Sequence, residues 1–331
     1  MEIMRNLTYR WRALWDPNMY HGWGKKRQYF EGWYYKIVDP TEEYVLALIP
    51  GISMDKAGNQ HAFIQVLNGT KIASAYHRFD AKDFFPSQTE FRVRIGKNQF
   101  HTNGLNIDLP NLKGKLNFED LIPWPASLGA PGVMGWYSFA PFMECYHGVV
   151  SMGHTIKGTI EINGVEVDFT GGKGYIEKDW GKSFPEAWIW MQSNHFDNSD
   201  TASLFCSVAK IPWLGSSFVG FIAAFWLDGK LYKFTTYGGA QLKATLGENT
   251  VFINLKNSQY HLRIAAQKAP GAVLAAPISG AMTGKVNESM QATIDVELLE
   301  KGKRIFHGVA RNAGLEVAGI VKDLLADDWS Y

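Results

Sequence analysis

Along most of the chain, apolar and polar positions alternate, and turn-forming clusters interrupt the alternation about every ten residues. Alternation sends successive side chains to opposite faces of an extended segment, so it predicts strands with one buried face. Residues 156–162, the pair Asn163-Gly164 and residues 165–169 have the pattern of a hairpin, because Asn-Gly tolerates the positive φ angles of a two-residue turn. Asn68-Gly69, Asp228-Gly229 and Lys301-Gly302 offer the same turn chemistry. Later in the chain, residues 218–227, 231–237, 251–255, 260–265, 292–299 and 304–310 are β-rich runs between polar turns. Helical periodicity with caps is scarce, and residues 315–325 form at most a short terminal segment. The expected fold class is all-β, with barrels or sandwiches as its natural architectures.

A recurrence refines that expectation. Residues 29–38 form an aromatic strand, followed by an Asp39-Pro40 turn and a strand at 44–49; about 155 residues on, an aromatic strand at 187–196 precedes a turn and a strand at 202–208. Two β domains in tandem are therefore expected, 1–182 and 183–331, meeting in the run Gly181-Lys182-Ser183-Phe184-Pro185.

Composition then narrows the partners. The chain has 33 Lys+Arg against 32 Asp+Glu, a net charge of +1, which argues against a nucleic-acid partner. Aromatic residues make up 14%, with 12 Trp, so an oily small molecule is the expected partner. The N-terminus lacks the pattern of a signal peptide, and the longest apolar run, 218–227, is about half a membrane span. The expected location is cytoplasmic, with contact at a membrane surface left open. Cys145 and Cys206 have no metal or redox spacing and are read as free thiols.

Gly171-Gly172-Lys173-Gly174 looks like a phosphate loop, but such a loop needs a helix after it, and residues 175–180 read as a strand. His147 and His154 lie seven apart and fall on opposite faces of a strand, so no metal site is expected from them. The carboxyls are more informative. Glu31 sits between Phe30 and Gly32-Trp33, while Glu177 and Asp179 share a strand face. A carboxyl buried among aromatics is either paired or protonated, and a protonated one is a proton donor. His147 and His154 are further acid–base candidates. Trp188, Trp190, Gln192, Asn194 and Phe196 share the other notable face, opposite Ile189, Met191, Ser193 and His195. Aromatics with neutral amides suit a ligand pocket; the alternative is that the tryptophans fill a barrel core.

Three blocks carry a family resemblance. They are Tyr29-Phe30-Glu31-Gly32-Trp33-Tyr34-Tyr35-Lys36, the run from Cys145-Tyr146-His147 to His154, and the run from Tyr175-Ile176-Glu177-Lys178-Asp179-Trp180 through Trp188 to Phe196. In order and spacing they resemble the tocopherol cyclase family, over about residues 16 to 200. The resemblance implies two lipocalin-like (calycin-type) β domains with a hydrophobic cavity. It also implies cyclisation of a prenylated quinol to a chromanol without a cofactor. Plant members carry a plastid-targeting extension that this chain does not show, so a bacterial version is expected. On this reading Glu31, Glu177, Asp179, His147 and His154 are the catalytic candidates. Trp33, Tyr34, Tyr146, Trp180, Trp188 and Trp190 line the cavity, and Gln192 and Asn194 orient oxygen atoms. Two other readings use the same pocket: a lipid or isoprenoid carrier without catalysis, and an alkene hydratase in which water is the nucleophile.

Overall fold

A computed structural model describes residues 2–141, 143–213 and 215–325. Among them the alternating pattern forms two antiparallel sheets. The chain divides into two units, one comprising Met1–Phe184 with Leu274–Lys285, the other Pro185–Val273 with Val286–Tyr331.

In the first sheet the neighbours run Ala73–Asp80, Gln60–Asn68, Val45–Met54, Tyr29–Val38, Lys173–Gly181, Cys145–Ile162 and Leu112–Glu119. They continue through Gly104–Leu109, Asn98–His101 and Arg92–Ile95 to Phe84–Pro86. The strands at the two ends of this order are joined in the chain by the short 3-10 turn Ala81–Asp83. So brief a link forces the sheet to curl until its edges approach, which is how a twisted sheet becomes a barrel. The second sheet runs Lys230–Thr235, Ser216–Leu227, Ser203–Trp213, Ala187–Ser193, Lys303–Gly319, Ala281–Glu300, Tyr260–Gln267, Thr250–Lys256 and Gln241–Leu246. Residues 236–240 link its ends, and the same argument curls it. Each unit is thus an all-β, lipocalin-like structure. The aromatic strands that recur in the sequence occupy corresponding places: Tyr29–Val38 lies between Val45–Met54 and Lys173–Gly181, and Ala187–Ser193 lies between Ser203–Trp213 and Lys303–Gly319.

The predicted turns explain much of the register. Ile162 pairs with Val165 across Asn163 (φ 52) and Gly164 (φ 81), as a type I′ turn requires. Asp228-Gly229 and Lys301-Gly302 turn in the same way. Asn68-Gly69 does not: Asn68 pairs with Ala73, and its Oδ1 instead accepts the N–H of Lys71 at 2.8 Å to shape a longer connection. Both cysteines are free thiols.

Two features escape the sequence pattern. The chain opens with a helix, Glu2–Trp15. Residues 315–319 complete the strand Lys303–Gly319, where Leu315 pairs with Met191, leaving only the 3-10 turn Val321–Leu324 as helical structure there. Leu274–Lys285 joins the first unit through backbone bonds, Gly280 N–H to the Lys182 carbonyl at 2.6 Å among them, and through side chains. The Gln65 amide brackets Ala275, donating to its carbonyl at 3.0 Å and accepting its N–H at 2.8 Å, and Ser53 Oγ donates to the Gly280 carbonyl at 2.7 Å. Among the described residues no helix is long and apolar enough to cross a membrane.

Candidate active site

Three neighbouring strands of the first unit carry most of the candidate residues. Tyr29–Val38 and Lys173–Gly181 pair with Glu31 opposite Trp180, Trp33 opposite Lys178 and Tyr34 opposite Glu177. On the other side of Lys173–Gly181, Tyr146 lies opposite Trp180 and His147 opposite Asp179. Strand alternation then sorts the side chains onto two faces. Glu31, Trp33, Tyr146, Lys178 and Trp180 share the face of the first hydrophobic core; Tyr34, His147, Tyr175, Glu177 and Asp179 share the opposite face.

On the core face, Glu31 meets a cation. Its Oε1 lies 2.6 Å from Lys178 Nζ, and both side chains are fully buried. Glu31 also accepts the N–H of His21 at 3.0 Å, the N–H of Gly22 at 3.1 Å and the Tyr29 hydroxyl at 2.5 Å. Lys178 in turn donates to the carbonyls of Pro17 (3.0 Å) and Met19, and to His21 Nδ1 at 2.8 Å. Its ammonium lies over the rings of Trp33 and Trp180, at 4.9 and 4.6 Å. Burial alone would raise the carboxyl of Glu31, but Lys178 and His21 outweigh it and hold the group below its ordinary pKa. Burial lowers Lys178 to about 8 against the pull of Glu31. Burial, then the charge of Lys178, lowers His21 to about 4; its neutral ring donates through Nε2 to the Ala13 carbonyl at 2.9 Å. Of the two states open to a buried carboxyl, paired or protonated, Glu31 is paired. Four donors on the Glu31 carboxylate anchor residues 17–22.

The opposite face holds a different arrangement. His147 Nδ1 lies 2.8 Å from Asp179 Oδ1, and its Nε2 lies 3.5 Å from Glu177 Oε2. The Tyr175 hydroxyl donates to that same Glu177 oxygen at 2.6 Å. Burial would lower His147, but Asp179 and Glu177 overcome it and raise the imidazole to about 9, so it is protonated at neutral pH. The Tyr175 phenol is pushed well above its usual range, first by burial and then by Glu177. Asp179 is the most accessible of the three, its side chain 26% exposed against 13% for His147 and 6% for Glu177. When His147 is deprotonated, the three groups also offer one ligand atom each within 4.8 Å of one another, a set able to hold a metal ion. Spacing along one strand does not reveal such a set, because it combines two strands.

The remaining candidates stand elsewhere. Two bulges interrupt the strand Cys145–Ile162, yet together they leave His147 and His154 on opposite faces, as their spacing predicts. His154 packs on Phe118 at 4.3 Å, lies 3.3 Å from Ser151 Oγ through Nδ1, and is lowered to about 3 by burial. Tyr146 stacks on Trp180 and donates to the Ala140 carbonyl at 2.8 Å. In the second unit, Ile189 and Met191 enter the core, so Trp188, Trp190 and Gln192 lie on the other face and the tryptophans do not fill that core. Trp188 Nε1 donates to Glu316 Oε2 at 2.6 Å. Gln192 and Asn194 are buried. Phe196 departs from the expected face. The strand Ala187–Ser193 stops before Asn194, where Ser193 Oγ donates to the Arg311 carbonyl at 2.6 Å and accepts the N–H of His195 at 3.2 Å. Beyond that break Phe196 turns into the core against Phe225 and Phe306, at 5.5 and 5.6 Å.

Sequence reasoning missed Lys178, His21 and Tyr175. Parity put Lys178 on the face opposite Glu177, but only the register with Tyr29–Val38 identifies Glu31 as its partner. His21 comes from an irregular segment with no pattern to read.

Residues 111–319 match the family model described as tocopherol cyclase-like. A rice protein (Oryza sativa subsp. japonica) named "Probable tocopherol cyclase, chloroplastic" is 26% identical over 200 residues, covering 56% of this chain and 42% of that protein. The maize (Zea mays) "Tocopherol cyclase, chloroplastic" is 26% identical over 198 residues, covering 56% and 41%. The chain thus spans less than half the length of these curated relatives. Among solved structures, that of CghA with Sch210972 has a TM-score of 0.55 at 11% identity, covering 88% of both chains, a likeness of fold.

Proposed function

The chain belongs to the tocopherol cyclase-like family, and from that premise we propose that it closes a ring on a prenylated quinol or related isoprenoid by acid catalysis. A proton adds to the less substituted carbon of a trisubstituted alkene in the tail, leaving tertiary cation character on the neighbouring carbon. The quinol oxygen attacks that carbon, a C–O bond forms, and the hydroxyl proton leaves. One proton enters and one departs, so the product is an isomer of the substrate.

The observation that carries this reading is the His147–Asp179–Glu177 cluster, which lies within the matched residues. The protonated imidazole is a store of one proton held 2.8 Å from Asp179. Asp179, the most accessible of the three, delivers that proton to the alkene and takes back the one released by the quinol. Glu177, held by the Tyr175 hydroxyl, keeps His147 charged. Aromatic faces contribute on the order of 0.5–2 kcal/mol per cation–π contact, short of the roughly 8 kcal/mol or more of typical enzymatic acceleration. Positioned proton transfer and a folded tail must supply the rest. Glu31 has a structural role in this scheme.

Incubation of the purified chain with a prenylated hydroquinone in detergent micelles tests the reading. The expected product has the mass of the substrate and a chromanol spectrum. A product heavier by one water would indicate hydration, and consumption at the background rate would remove the proposal.

A further inference from the structure

The helix Glu2–Trp15 is docked by one side and carries exposed apolar side chains on the other. On the docked side Ala13 is fully buried, Tyr9 packs on Trp23 at 4.9 Å, and the Tyr9 hydroxyl donates to Gln88 Oε1 at 2.7 Å. At 3.6 residues per turn, Met4, Leu7, Trp11 and Trp15 fall on the opposite stripe. They are 74%, 56%, 63% and 38% exposed. The patch continues beyond the helix: Trp15 packs edge-on against Phe139 at 5.5 Å, and Phe139 and Trp136 are themselves exposed. Exposed apolar residues scattered singly need no explanation, but a contiguous run of this size marks an interaction surface.

Charge identifies the partner. The first 27 residues hold six basic and two acidic side chains, in a chain whose total charge is only +1. Arg10 and Arg12 are exposed on the helix, to either side of the apolar stripe. Lys25 is close enough to Arg10 that, after burial, the charge of Arg10 helps lower its pKa. A stripe of Trp, Leu and Met flanked by arginines matches the chemistry of the boundary between lipid headgroups and acyl chains. Length decides how the helix meets it. Fourteen residues at about 1.5 Å each give roughly 21 Å, short of the roughly 30 Å hydrocarbon core, so the helix lies in the interface and does not span it.

We propose that the stripe Met4–Leu7–Trp11–Trp15, with Phe139 and Trp136 beside it and Arg10 and Arg12 flanking it, seats the protein on the surface of an anionic phospholipid bilayer. The proposal stands independently of the reaction assigned above.

Flotation of the full chain with vesicles tests it, comparing phosphatidylcholine alone with phosphatidylcholine mixed with phosphatidylglycerol. The chain should float with the anionic vesicles, and added salt should weaken the association. Arg10→Gln and Arg12→Gln should each reduce partitioning about fivefold. The double variant Leu7→Gln/Trp11→Gln should reduce it more than tenfold, with an unchanged far-ultraviolet dichroism spectrum because both side chains are exposed. The salt series on the unaltered chain provides a reading that needs no variant. Equal binding to both vesicle types, no binding to either, or full binding by Leu7→Gln/Trp11→Gln would overturn the proposal. So would a dimer in sedimentation that the double variant dissolves while vesicle binding is absent, since the patch would then join two copies of the chain.

Discussion

Glu31 and Asp179 are both carboxyls in aromatic strands of the first unit, and their neighbours give them opposite surroundings. Glu31 faces Lys178 and three further donors in a fully buried site, and Asp179 faces an imidazolium at a site that solvent reaches. The buried pair makes a sharp prediction. Lys178→Met leaves a carboxylate uncompensated and should destabilise the fold by about 3–5 kcal/mol, read from the urea midpoint. Adding Glu31→Gln should recover much of that loss, because the stranded charge is then gone. At the other site, His147→Asn or Asp179→Asn should slow turnover by about 100-fold or more, read from the rate of chromanol formation. The sequence required that a carboxyl at 31 be paired or protonated, yet it could not name Lys178, whose identity as partner depends on cross-strand register. Nor could alternation foresee Phe196, because the break at Asn194 comes from the Ser193 hydroxyl competing for backbone groups.

Strands and turns were the most legible elements. Period-two alternation identified the strands, and Asn163-Gly164 carried its turn geometry in its residue types. The helix Glu2–Trp15 was not legible as a core helix because its apolar stripe faces outward, while Ala13 and Tyr9 lie on its docked side. Close approach between strands is also hidden in the sequence until register is known. Gly51 lies opposite Gly32, and a Cβ at position 51 would sit 2.6 Å from the Glu31 carbonyl oxygen and 2.4 Å from the Phe63 ring. Gly51→Ala must therefore push Val45–Met54 away from the strand that carries Glu31 and Tyr34. The expected cost is about 1–3 kcal/mol, measured as a lowered urea midpoint; an unchanged midpoint would show that the two strands have room to spare.

On the scale of the whole molecule, the two sheets differ in strand number, but the aromatic strand that opens each holds a corresponding place. The recurrence in the sequence pointed to that arrangement, while Leu274–Lys285, which joins the first unit through Gln65 and Ser53, left no pattern to read. Stability should report the state of His147. Its pKa is about 9 in the fold against an ordinary value of 6.5. The native state therefore binds more protons than the unfolded chain between those values, and the associated stabilisation, complete below about pH 6.5, is lost as pH rises through about 9. The thermal midpoint should fall across that window, and Asp179→Asn should flatten the fall.

If a proton from the His147–Asp179 pair begins ring closure, turnover in deuterium oxide leaves an isotope in the product. With the purified chain and a prenylated hydroquinone in deuterium oxide, the expected product carries one deuterium per molecule on the ring methylene derived from the alkene, retained after exchange back into ordinary water. A chromanol formed at the enzymatic rate without that deuterium would contradict that proton transfer.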